Sequence, residues 1–263
     1  MELTLYQIDA FTSEVFGGNP AAVVPLEAWL DDATLQAIAT ENNLSETAYT
    51  VPAGGGYELR WFTPASEIEL CGHATLATAH VVFTHLRPDL DAVRFETRFS
   101  GELSVTRANG LLIMDFPVAP LEQCNPTEDL AAGLSIAPRA VFAGPDYMAV
   151  YDSAADVLAV EPDHTALMRL DRRGVIVTGP GDTDGPADFV SRFFCPKYGV
   201  PEDPVCGSAH CMLTPYWAGE TGRSTLLAHQ VSARGGELHC RLDGARVELK
   251  GNAVQYLEGR IEF

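Results

Sequence analysis

The chain has 263 residues, 46% of them hydrophobic, and 36 acidic against 17 basic side chains give a formal charge of −19. This length and apolar fraction suit one large domain or two of about 130 residues and exclude a disordered chain. The negative charge repels phosphate backbones and anionic lipid, so neither a nucleic-acid nor a membrane-surface role is expected. No apolar run approaches the roughly 18 residues that a membrane span needs. The opening Met1-Glu2-Leu3-Thr4 lacks the basic and then apolar regions of a signal peptide, and the expected compartment is the cytoplasm.

Residues 3–8 and 57–62 alternate, or nearly alternate, apolar and polar side chains, as half-buried strands do. Between them, Asp31-Asp32 is placed to cap a helix running to about Glu41, with Leu35 and Ile38 on one face. Glycines 54–56 mark a turn. A mostly buried helix is expected over Ala74–Phe83, followed by strands at residues 103–105 and 111–116. The proline-containing stretch 116–120 is the expected boundary, giving an α+β half over residues 1–117 and another over 118–263. The second half repeats the order: strands near 174–178 and 189–194, a helix from about Ala209, then strands to Phe263.

That repetition is visible in the residues themselves. Trp61-Phe62-Thr63-Pro64, Cys71-Gly72-His73-Ala74 and Gly101-Glu102-Leu103 recur as Phe193-Phe194-Cys195-Pro196, Cys206-Gly207-Ser208-Ala209 and Gly236-Glu237-Leu238. Cys71 and Cys206 lie 135 residues apart, as do Gly101 and Gly236, whereas Trp61 and Phe193 lie 132 apart. One three-residue insertion before Cys206 accounts for the change. A period of half the chain implies duplication and not a solenoid.

The paired Cys-Gly-x-Ala elements carry the most chemistry. In each half a strand feeds a glycine turn and a small-residue helix starts at once. The first peptide N–H groups of a helix lack internal partners and carry partial positive charge, so they suit a carboxylate or a developing enolate oxygen. Either element alone reads more simply as a packed turn with a buried cysteine; the duplicated pair favours function. Glu46, in Asn43-Leu44-Ser45-Glu46-Thr47-Ala48, and Asp203, in Pro201-Glu202-Asp203-Pro204, read by themselves as ordinary turn carboxylates. The six cysteines include no Cys-x-x-Cys pair, and no His-x-x-x-His accompanies Cys206 and Cys211, so no zinc site is expected. Phosphate-loop and nucleophile-elbow patterns are absent. His80, His85, His164, His210, His229 and His239 show no ligand spacing and read as structural or surface residues.

Four segments in order give the chain a wider resemblance: Phe16-Gly17-Gly18-Asn19-Pro20-Ala21-Ala22-Val23-Val24, Asn43–Ala48, Glu69-Leu70-Cys71-Gly72-His73-Ala74-Thr75, and Glu202–His210. Over nearly its whole length the chain resembles the PhzF-like isomerases and epimerases. The resemblance implies a diaminopimelate-epimerase-like fold, two similar domains each wrapping an antiparallel sheet around a central helix, with the active site between them. It also implies that no metal or organic cofactor is needed, and that the protein is a homodimer acting on a small carboxylate-bearing substrate. The family's catalytic glutamate matches Glu46, and its further site residues match His73, Asp203 and Ser208. Asn19, Gly72, Gly207 and Ala209 are expected to bind substrate. The implied chemistry is a proton shuttle in which a carboxylate removes a carbon-bound proton and returns it elsewhere on the same molecule; such a base works best when burial raises its pKa.

Cys71 and Cys206 open a second reading. Racemases of the same fold resemble this pattern and use one thiol from each half on opposite faces of a carbon, and a helix N-terminus lowers a thiol's pKa. A third reading is a metabolite-binding protein that kept the fold without catalysis.

Overall fold

The computed structural model describes residues 1–263. They form two units, Met1–Asp115 with Lys250–Phe263, and Phe116–Leu249. The first holds β1 (Glu2–Ala10), β2 (Asn19–Pro25), α1 (Asp32–Asn42), β3 (Glu46–Ala53), β4 (Gly56–Phe62), β5 (Glu67–Ile68), α2 (Gly72–Val81), β6 (Ala92–Thr97), β7 (Gly101–Ala108) and β8 (Leu111–Pro117), which runs to the unit's edge. The second holds β9 (Glu122–Cys124), α3 (Glu128–Gly133), β10 (Ala140–Ala143), β11 (Tyr147–Val150), α4 (Ala154–Ala159), α5 (His164–Leu167), β12 (Val175–Pro180), β13 (Phe189–Cys195), β14 (Val200–Asp203), α6 (Gly207–Thr221), β15 (Thr225–Gln230), β16 (Gly236–Asp243) and β17 (Arg246–Gly251). β18 (Ala253–Glu262) belongs to the first.

Pairing follows one plan twice. β1–β2 is antiparallel, β2–β3 parallel, β3–β4 and β4–β5 antiparallel, β4–β6 parallel and β6–β7 antiparallel. In the second unit β10–β11, β11–β12, β12–β13, β13–β14, β13–β15 and β15–β16 repeat that series of senses. Two parallel pairs in each unit therefore break the expected antiparallel order, because each helical crossover returns the chain in the same direction. Side chains repeat with the backbone. Arg60 forks onto Glu67 and stacks on Phe62, as Arg192 forks onto Glu202 and stacks on Phe194.

The expected boundary differs in one respect. The second unit does not keep the C-terminus, because β18 pairs antiparallel with β1 from Glu2↔Glu262 to Ala10↔Ala253 and fills the edge of the first unit's sheet.

Each unit buries one helix and leaves others on its surface. In α1 the Asp31 carboxylate accepts the Thr34 N–H at 3.0 Å, as a cap should, and Leu35, Ile38 and Ala39 pack on a cluster with Val24, Tyr49 and Phe62. By contrast α2 is buried on every side from His73 to Ala79 and contacts β1, β2, β3 and β18. Its threonines satisfy themselves on the preceding turn: Thr75 Oγ1 donates to the Cys71 carbonyl and Thr78 Oγ1 to that of Ala74. In α6, Pro215 has no N–H to give the Cys211 carbonyl; the Ala119 N–H takes that place at 3.2 Å. No helix is long and apolar enough to cross a membrane.

Candidate active site

The first unit gathers four side chains around the start of α2. Cys71 is the extended residue before the helix (φ −141°) and makes no cap bond, so His73 falls in the first turn. Glu46 opens β3, which follows directly once Asn43 ends α1 in the left-handed region (φ 49°). Asn19 opens β2. The turn before it needs Gly18 (φ +61°), where a Cβ would meet the Ala10 carbonyl oxygen at 2.1 Å. The buried Asp9 carboxylate pins the same turn by accepting the Phe16 N–H at 2.9 Å.

The His73 ring lies between these groups. Nδ1 is 3.1 Å from Asn19 Nδ2 and 3.5 Å from Cys71 Sγ, while Nε2 is 2.9 Å from Glu46 Oε2. The contact with Glu46 is close but poorly aligned as a hydrogen bond, and neither Nε2 nor Oε2 has another partner. Burial pushes the imidazole's pKa down, but its coupling to Cys71 and to the Glu46 carboxylate outweighs that and raises it well above its usual value. Burial, reinforced by the Glu46 charge, pushes the Cys71 thiol up. Glu46, Cys71 and His73 offer donor atoms within 4.8 Å of one another, a set a metal ion can draw on. Thiol and carboxylate face opposite ring nitrogens, however, which suits a relay through the imidazole more directly than a single ion.

The second unit builds a corresponding cluster at the start of α6. Cys206 again precedes the helix (φ −105°) without a cap bond. Gly207 and Ala209 are buried, whereas Ser208 is exposed. The loop carrying Asp203 is stapled to this turn by the buried Gln230, whose Nε2 donates to the Asp203 carbonyl at 2.7 Å and whose Oε1 accepts the Cys206 N–H at 2.9 Å. Arg173 reaches in from just before β12. Its Nε and Nη2 fork onto the buried Asp146 at 2.9 and 2.5 Å, Nη2 also donates to Ser208 Oγ at 2.9 Å, and the guanidinium lies 4.9 Å over the Phe193 ring. Cys206 is pushed up to about 12 by burial, although Arg173 pulls the other way. The acidified thiols expected at the two helix starts are therefore not what the fold makes: burial outweighs the helix ends in both. His210, one turn into α6, is fully buried and donates Nδ1–H to the Cys206 carbonyl at 2.8 Å.

Of the residues anticipated from the sequence, the structure brings Asn19, Glu46, Cys71 and His73 together in one unit, and Asp203, Cys206 and Ser208 in the other. Arg173, Asp146 and Gln230 were not anticipated. Arg173 sits just ahead of the strand expected near 174, whereas nothing in the sequence pointed to Asp146.

A duplicated frame with a Cys-Gly turn opening each central helix is the fold class shared by epimerases and racemases. A hydroxyproline epimerase of Agrobacterium vitis shares the fold, with a TM-score of 0.61 at 11% identity over 99% of this chain and 92% of that one. Within that class the chain belongs to the PhzF family: the family described as phenazine biosynthesis-like protein matches residues 8–259. A Pseudomonas aeruginosa protein named as an uncharacterized isomerase is 51% identical over the full length of both chains. A PhzF-family protein of Enterococcus faecalis superposes with a TM-score of 0.95 at 45% identity, covering 100% of each chain.

Proposed function

We propose that the chain is a cofactor-independent PhzF-type isomerase in which Glu46 moves a proton between two atoms of a small carboxylate-bearing substrate. The single observation that carries this reading is Glu46 Oε2, buried without an aligned hydrogen bond, 2.9 Å from His73 Nε2. An oxygen in that position makes no aligned hydrogen bond and is left open to a substrate proton. In the forward step Oε2 takes the carbon-bound proton and the electron pair moves into the substrate's π system. In the return step the same oxygen delivers the proton to a different carbon. His73 meets the carboxylate through Nε2, while its Nδ1 faces Asn19 and Cys71. Gly72 and Gly207 present backbone N–H groups to negative charge on the substrate, and Asp203 and Ser208 orient it. A homodimer in the cytoplasm is part of the same reading.

The test is proton transfer in D₂O over a panel of amino, imino and cyclic dienoic acids, read by NMR alongside direct isomerisation. Glu46→Gln is expected to lower turnover by about 10²-fold or more. Full activity in that variant would refute the shuttle. A two-thiol racemase is the second reading, favoured by the matched positions of Cys71 and Cys206. It requires that either Cys→Ser change abolish turnover with inversion at the α-carbon, while Glu46→Gln has the smaller effect.

A further inference from the structure

The duplicated frame does not carry duplicated chemistry. Asn19 opens β2 and Asp146 immediately precedes β11; Glu46 opens β3 and Arg173 lies two residues before β12; Cys71 and Cys206 precede the central helices; His73 and Ser208 are second in those helices. The same four places hold an acid–base set in one unit and an arginine on a buried aspartate in the other.

We infer that the Arg173–Asp146–Ser208 cluster is an anion anchor that fixes a substrate carboxylate on the guanidinium. The inference rests on the carboxylate substrate proposed above.

Three features of the cluster support it. First, Arg173 is aimed. Asp146, 1% exposed, occupies Nε and one edge of Nη2, and Phe193 covers one face of the plane. Second, the arginine is not used up. Its donor contacts, to Asp146, Ser208 and the Cys206 sulfur, all come from Nε and Nη2, which leaves the two Nη1–H groups to donate elsewhere, and the side chain keeps 34% of its surface exposed. Third, Ser208 Oγ accepts from Arg173, so its own proton is directed away, to Cys206 Sγ at 3.3 Å or to a ligand oxygen. The ion pair is neutral overall, but Asp146 is buried whereas Arg173 is partly exposed and Ser208 is exposed. An anion therefore meets N–H and O–H groups, on a chain whose formal charge of −19 otherwise repels it.

Cys206 reports on this charge because its sulfur is 3.9 Å from Arg173 Nη2. The full-length protein is treated with iodoacetate or iodoacetamide, and the rate at Cys206 is read by peptide mass spectrometry, with free glutathione as the reference in the same solution. In either reaction the sulfur forms a bond to the methylene carbon, iodide leaves, and the thiol proton goes to buffer. The anionic reagent is expected to be preferred at Cys206 by about tenfold relative to glutathione, from an opposite charge a few ångströms away.

Removing Arg173 alone leaves the buried Asp146 uncompensated and endangers folding. The informative variants are Arg173→Lys, which keeps the charge, and Arg173→Gln with Asp146→Asn, which removes both charges and keeps polar shape. The lysine variant is expected to retain the preference and the double variant to lose it. The inference is overturned if the double variant keeps the preference, if the two variants behave alike, or if neither reagent reaches Cys206. The readout needs no turnover, and Glu46→Gln leaves the Cys206 preference intact. A failed shuttle and a failed anchor are thereby told apart.

Discussion

Acid lability is expected to originate at His210. Its Nδ1–H is committed to the Cys206 carbonyl, its Nε2 is buried with no partner, and burial lowers its pKa to about 4 from the usual 6.5. Protonation must place a charge on Nε2, where nothing accepts the hydrogen. Above pH 6.5 the ring is neutral whether the chain is folded or not, and contributes no pH dependence. Between 6.5 and 4 the unfolded chain binds a proton that the folded chain refuses, so stability falls with pH across that window. A gap of roughly 2.5 units corresponds to about 3 kcal/mol. The assay is urea unfolding at a series of pH values, followed by fluorescence of Trp217, which stacks on Phe189 beside the His210 ring. His210→Asn supplies an N–H for the Cys206 carbonyl and cannot titrate. It is expected to be less stable than the parent at pH 7 and to show a shallower loss between pH 6.5 and 4. Carboxylate titration is common to both proteins and cancels in the difference. Parallel pH profiles would refute the assignment.

His73 has the opposite sign: its folded pKa is raised, so its stabilisation is complete below pH 6.5 and is lost as pH rises through the folded value, a slope that should vanish from unfolding curves of His73→Gln. Gly18→Ala forces a Cβ onto the Ala10 carbonyl in a left-handed conformation and should cost about 2 kcal/mol or more in chemical denaturation, with turnover falling because Asn19 is the next residue. Gln230→Ala strips hydrogen bonds from the Asp203 carbonyl and the Cys206 N–H and should cost about 2–3 kcal/mol. Its turnover should drop roughly tenfold by loosening the Cys206–Ser208 turn; unchanged kinetics would show that the staple is structural only.

Local chemistry made part of this legible from the chain alone. Asp31 caps α1 because a carboxylate just ahead of a helix satisfies a first-turn N–H group whatever lies around it. Cys71-Gly72 and Cys206-Gly207 announce helix starts for a similar reason, and their separation reveals the duplication before any contact is known. Glu46 was singled out by family resemblance, since a turn carboxylate gives no sign of the histidine it will meet. Only the tertiary fold lays Glu46 beside His73, sends β18 back to β1, or seats Arg173 between Asp146 and Ser208. Those partners are distant in sequence, and pairing between strands, not local propensity, decides which of them meet. The balance of burial against charge, which raises the pKa of His73 and of both site thiols and lowers that of His210, is likewise fixed by what surrounds each group in the folded protein.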